Sequence, residues 1–183
     1  MFEGDYTIYG RHATYIKYLV NDAKAFKRYI DVYMMGAVLG MLNDRRSTSG
    51  DSADRARIYS DAFYTEQIKC NELFKLVILN DTSKPWPDEE RVNICFRYRD
   101  KMDENAMPPV EPEEISTMKE ALDLFHAYVL GGIELLYESF SSTATVGMDE
   151  TVDYAYKTVF DQRTLIESRQ ESMDSELLLR SEY

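Results

Sequence analysis

Ala23 to Leu42 reads "AKAFKRYIDVYMMGAVLGML", and its periodicity decides the fold class. Phe26, Ile30, Tyr33, Ala37 and Met41 recur at steps of three and four, which places them on one face of a helix. Asn21 and Asp22 stand ahead of it as natural caps. Gly36 and Gly40 lie one turn apart inside this helix. An interior glycine costs roughly 0.5–1 kcal/mol relative to alanine, so the pair needs a reason. Close approach of another backbone supplies one.

The partner for that approach is legible further on. A helix from Glu113 to Ser139 carries the clearest stripe in the chain, Ile115, Met118, Leu122, Phe125, Val129 and Leu136, and Gly131 and Gly132 interrupt it. The two helices are predicted to cross at Gly36/Gly40 and Gly131/Gly132, with a ligand groove against bare backbone as the functional alternative. Between them, "NDRRSTSGDSAD" reads as a loop. A helix from Asp54 to Asn80 follows, with Tyr59, Phe63, Cys70, Leu73 and Val77 as its seam and Glu66 at the missing place. "NDTSKPWP" ends it through turn chemistry and two prolines. "DEERVNICFRYRDKM" is a shorter helix with acids in its first turn and Val92, Cys95 or Phe96, and Arg99 inward. The prolines of "PPVEPEE" make an extended spacer. A fifth helix is expected from Asp149 to Glu167, with residues 168–183 extending it or frayed.

Residues 1–22 resist a purely helical reading. Tyr6 and Ile8, then Thr14 and Ile16, alternate about Gly10 like two short extended pieces, while a helix from His12 to Val20 fits equally well. The expected architecture is therefore all-α: one domain over residues 1–183, a bundle of about five helices with a short irregular or β-like N-terminal arm.

Composition narrows the class. Of 183 residues, 44% are hydrophobic and 30% charged, which suits a soluble globular chain rather than a disordered one. The nearly unbroken apolar stretch from Tyr33 to Leu42 is half the roughly 20 residues a bilayer span needs. With Glu3 and Asp5 near the start and no apolar run behind a basic segment, no secretory signal is expected and the location is read as cytoplasmic. Cys70 and Cys95 form no CxxC pair, and with two histidines no structural zinc site can be assembled.

Thirty-three acids against 21 bases give a net charge of -12, a field that opposes direct nucleic-acid binding. The bases concentrate early: Lys24, Lys27 and Arg28 on the first helix, with Arg45, Arg46, Arg55 and Arg57 around the following loop. Beside Tyr29 and Tyr33 they are candidates for contact with phosphate or an acidic partner surface, including the acidic half of a second copy. The plain alternative is a solvated helix face.

Glu66 on an inner stripe is either a carboxylate satisfied by Arg or Tyr groups or a working acid. Asp123 and His126 share a helix face three residues apart, but two ligands make no metal site. No G-x-S-x-G, P-loop or G-x-G-x-x-G motif is present, so no cofactor is expected and no catalytic residue is assigned.

Two blocks carry a resemblance. "FKRYIDVYMMGAVLGMLNDRR", with Phe26, Tyr29, Asp31, Val32, Gly40, Arg45 and Arg46, and "FHAYVLGGIELLYE", with Tyr128, Gly131, Gly132, Glu134 and Leu136, resemble the opening and closing helices of small accessory proteins of the Dnd DNA-phosphorothioation system. The likeness covers about a fifth of the chain, and the stretch between Ser47 and Leu124 is longer than that family leads one to expect. It implies a bacterial accessory or adaptor protein of a DNA-modification or phage-defence cluster, acting on other proteins of that system, itself included as a homo-oligomer, with no catalytic residues to carry over. An acidic decoy occupying a partner's DNA-binding groove is the second expectation, and an enzyme built around Glu66, Asp123 and His126 the third.

Overall fold

The computed structural model describes residue 2, residues 4–50, 53–98 and 111–141, and positions 164 and 168. In chain order these form β1 (Tyr6–Tyr9), α1 (Arg11–Lys17) running into a π-helical turn (Tyr18–Asp22), α2 (Tyr29–Leu42), β2 (Arg55–Ile58), α3 (Ser60–Thr65), α4 (Gln67–Asn80), α5 (Asp88–Asn93) with a π-helical extension (Ile94–Tyr98), and α6 (Pro112–Ser141). The chain is mostly α, with one two-stranded sheet near its start. It divides into two compact units, Met1–Tyr137 and Glu138–Tyr183. The expected helix from Asp149 to Glu167 and the tail after it lie outside the described residues, except that Thr164 and Ser168 are helical.

The sheet is antiparallel, pairing Tyr6 with Ile58, Thr7 with Arg57, Ile8 with Ala56 and Tyr9 with Arg55. Ile8, Ala56 and Ile58 turn inward and Arg55 and Arg57 outward, the period-two alternation of a half-buried strand. The helix expected from Asp54 therefore starts later. Arg55–Ile58 is strand, and a break at Glu66, whose ψ of 16° is non-helical, separates α3 from α4. Of the expected extended pieces, Tyr6–Ile8 is strand, whereas Thr14–Ile16 lies in α1.

The helix expected from Ala23 also begins later, at Tyr29. Lys24 adopts φ 51°, a left-handed backbone that interrupts a helix, and Arg28 is extended. Asn21 and Asp22 end the π turn instead of capping α2. The cap comes from inside: the Arg28 backbone N–H donates to Asp31 Oδ2 at 3.1 Å.

α2, α4 and α6 enclose the core. Tyr33, Phe63, Phe74 and Phe125 are fully buried, with Tyr33 edge-on to Phe63 at 5.3 Å and Phe74 to Phe125 at 5.7 Å. On α5 the inward residues are Arg91, Ile94 and Cys95, at helical spacing, while Val92 and Phe96 face out, because the Arg91 guanidinium turns inward onto the carbonyls of Ile78, Lys84 and Trp86 and sets the buried face one position earlier than expected. Arg99 lies outside the described residues. No helix among the described residues is long and apolar enough to cross a membrane.

Candidate functional site

Gly36, Gly40 and Gly132 bring α2 and α6 into backbone contact. A Cβ on Gly36 would meet Val129 O at 2.8 Å, one on Gly40 Tyr128 O at 2.0 Å, and one on Gly132 Gly36 O at 1.9 Å. Gly131 serves the loop after α2: its Cβ would stand 2.1 Å from Arg45 O. A side chain at any of these places would push the helices or the loop apart.

That contact seats a polar cluster. Arg11 and His12 come from the start of α1, Arg45 and Ser47 from the loop after α2, and Glu134 from α6. Glu134 Oε1 accepts from Arg11 Nη2 at 2.5 Å, His12 Nε2 at 2.9 Å and Ser47 Oγ at 2.7 Å, and Oε2 accepts from Arg45 Nη2 at 3.1 Å. Ser47 is held by its backbone N–H, which donates to Ala127 O at 2.9 Å. Burial alone would raise the Glu134 carboxyl, but hydrogen bonds from Ser47, Arg45 and His12 outweigh it and hold the pKa below the usual glutamate value. His12 is wholly buried, and burial keeps it neutral by lowering its pKa. With Nε2–H donating to the carboxylate, Nδ1 is an acceptor without a partner.

A second cluster joins Tyr128 of α6 to the loop after α2 and to the end of α4. Tyr128 Oη lies 2.8 Å from Asp81 Oδ1 and 2.9 Å from Asp44 Oδ1, and the Arg46 guanidinium covers the Tyr128 ring at 5.4 Å. Asp81 also accepts from Ser83 Oγ and from the backbone N–H groups of Ser83 and Lys84. Burial raises its pKa less than these bonds lower it. The buried Arg91 donates to three carbonyls, Ile78 O, Lys84 O and Trp86 O, and ties the turn after α4 to α5.

Four of the seven early bases, Arg28, Arg45, Arg46 and Arg57, pair with acids of this chain. Lys24 and Lys27 are exposed. Arg28 bonds Asp31 and Glu66, Arg45 bonds Glu134, Arg46 pairs with Asp44 and Asp81, and Arg57 bonds Asp5 and lies over the Tyr59 ring. Arg55 projects from the outer face of β2. Glu66 is enclosed and bonded by Arg28 at 2.8 Å and Lys69 at 2.7 Å, and those two cations, Lys69 foremost, lower its pKa. His126 stacks on Tyr6 at 4.2 Å, and burial lowers its pKa to about 4. Glu66 and His126 thus have separate partners, Asp123 is exposed, and no metal-binding group of three ligands occurs among the described residues.

Sequence reasoning missed Arg11 and Ser47, and it read Glu134 only as part of a helix block. The available signal was a lone glutamate on the apolar side of α6, one turn after Gly131.

An open apolar groove runs between α2 and α4, with a volume of about 550 Å³. Met34, Met35, Val38, Ile68, Leu73 and Leu76 line it, and Asp31, Lys69 and Glu72 stand at its rim. Ile68 is 80% exposed and Leu76 48%. No protein-family model matches the sequence, and no curated protein or solved structure matches it either.

Proposed function

We propose that the chain is a non-enzymatic accessory protein that captures an amphipathic helix of a basic partner protein in the groove between α2 and α4. The groove carries this reading: side chains as apolar as Ile68, Met35 and Leu76 are left in water between two packed helices. Methionines suit such a surface because their unbranched chains adapt to a partner's shape. A net charge of -12 attracts a basic partner and repels a second copy. The two blocks that resemble accessory proteins of the Dnd system support a partner from DNA-modification or phage-defence machinery, where phosphate-binding proteins are commonly basic.

The test uses synthetic amphipathic peptides with leucines at i, i+3, i+4 and i+7, one lysine-rich and one glutamate-rich on the polar face. Fluorescence anisotropy should show saturable binding of the lysine-rich peptide alone, abolished by M35E and by I68E. Equal binding of both peptides, or binding indifferent to these substitutions, would overturn the proposal.

A further inference from the structure

We propose that Met34 and Met35 make the groove between α2 and α4 a peroxide-sensitive site, in which oxidation of Met35 to its sulfoxide releases the bound helix; this rests on the binding role proposed above. The α2 wall of the groove is Asp31, Met34, Met35 and Val38, the i, i+3, i+4, i+7 pattern of one helical face. Its two central positions are both thioethers. Met35 is 41% exposed and Met34 half-buried, whereas Met118 on α6 is 2% exposed. A peroxide in solution thus reaches Met35 ahead of the core. Rolling α2 to shelter it is blocked, because Gly36 and Gly40 lock other positions of that helix onto the α6 backbone.

The thioether sulfur of Met35 attacks one oxygen of hydrogen peroxide. An S–O bond forms as the O–O bond breaks, and the sulfur gives up two electrons. The second oxygen leaves as hydroxide, takes the proton of the first and departs as water. The product is a polar, chiral sulfoxide on an apolar wall. In the free protein its oxygen stays hydrated, so the fold loses little. Under a docked helix the same oxygen is cut off from water against leucines, and an acceptor buried without a donor opposes binding. Lys69, the cation at the rim, does not supply that donor: it is engaged by Glu66 at 2.7 Å. Reduction by a thiol-dependent sulfoxide reductase restores the thioether and with it the apolar wall.

The experiment treats the full chain with dilute hydrogen peroxide, locates the sulfoxides by mass spectrometry of proteolytic fragments, and titrates the lysine-rich amphipathic peptide before and after by fluorescence anisotropy. Met35 should oxidise before Met118, and peptide affinity should fall by about tenfold or more with the thermal midpoint unchanged. Methionine sulfoxide reductases with dithiothreitol should restore binding. The double variant M34L with M35L keeps the wall apolar without sulfur, so it should bind the peptide as the unsubstituted chain does and keep binding after peroxide. Failure of the untreated chain to bind the peptide would overturn the groove's binding role and the switch with it. Binding that survives oxidation of Met35, a loss that the double variant does not prevent, or unfolding on oxidation would overturn the switch alone.

Discussion

Gly132 packs directly on Gly36, so that a Cβ on the first would stand 1.9 Å from the carbonyl oxygen of the second. Neither backbone can retreat without moving a whole helix. G132A should therefore destabilise the fold by about 3 kcal/mol or more, well beyond the modest helix-propensity gain of alanine. Urea denaturation of G132A beside an alanine at the unencumbered Gly4 measures it. Loss of less than about 1 kcal/mol would mean that the crossing yields easily.

Glu134 gives the stability of the first unit an acid limb. Its folded pKa is held below the ordinary value, so the unfolded chain takes up the proton first as pH falls. The stabilisation is present above the unfolded pKa of about 4.5 and is lost as pH falls through the lower folded value. E134Q should cost about 2 kcal/mol at neutral pH and flatten the decline in denaturation midpoint below that point. An unchanged acid limb would show that other carboxylates carry it.

His126 acts in the adjacent range. Burial lowers its pKa to about 4 against 6.5 unfolded, so unfolding takes up a proton between those values. Stability should fall as pH drops from 6.5 toward 4, by up to about 3 kcal/mol from this residue. H126F keeps the stacking on Tyr6 and should remove that part of the slope in thermal melts recorded from pH 7 to 4.

Arg91 is held chiefly by three carbonyls, with Asp81 Oδ2 3.9 Å from its Nη1 as an ion-pair partner. Removing it strands Ile78 O, Lys84 O and Trp86 O, and R91A should cost about 3 kcal/mol. R91K should restore only part, because a single ammonium cannot span three acceptors set for a planar fork. Full recovery in R91K would reduce the role of Arg91 to its charge.

Burial pushes the thiols of Cys70 and Cys95 up to about 11, with neither exposed. Ellman's reagent should leave both untouched at neutral pH in the native protein and label both in urea. Rapid native labelling of either would reveal local opening around α4 or α5.

Much of the fold was readable from periodicity alone. Long stripes such as Met118, Phe125, Val129 and Leu136 define a helix without outside help. Short segments are governed by partners distant in sequence: Arg55–Ile58 alternates in period two, but its pairing with Tyr6–Tyr9 turns that alternation into a strand. Lys24's left-handed backbone likewise leaves no trace in a lysine. The polar cluster was harder still, because Arg11, Ser47 and Glu134 lie on three separate elements and none belongs to a spaced motif. Charge counting gathered the early arginines into one surface, whereas the fold hands Arg28, Arg45, Arg46 and Arg57 to different carboxylates, since a carboxylate held in place nearby binds a guanidinium more firmly than water does.

The ties of Arg11 and His12 to Glu134 span more than 120 residues of chain. During synthesis the first helix and its strand are made long before the acid that fastens them exists. The early segments must wait, with their arginines and His12 unfastened, until the last third of the chain emerges. A nascent chain stalled before α6 would therefore be a natural target for chaperones, and α6 acts as the latch whose arrival commits the whole first unit to its fold.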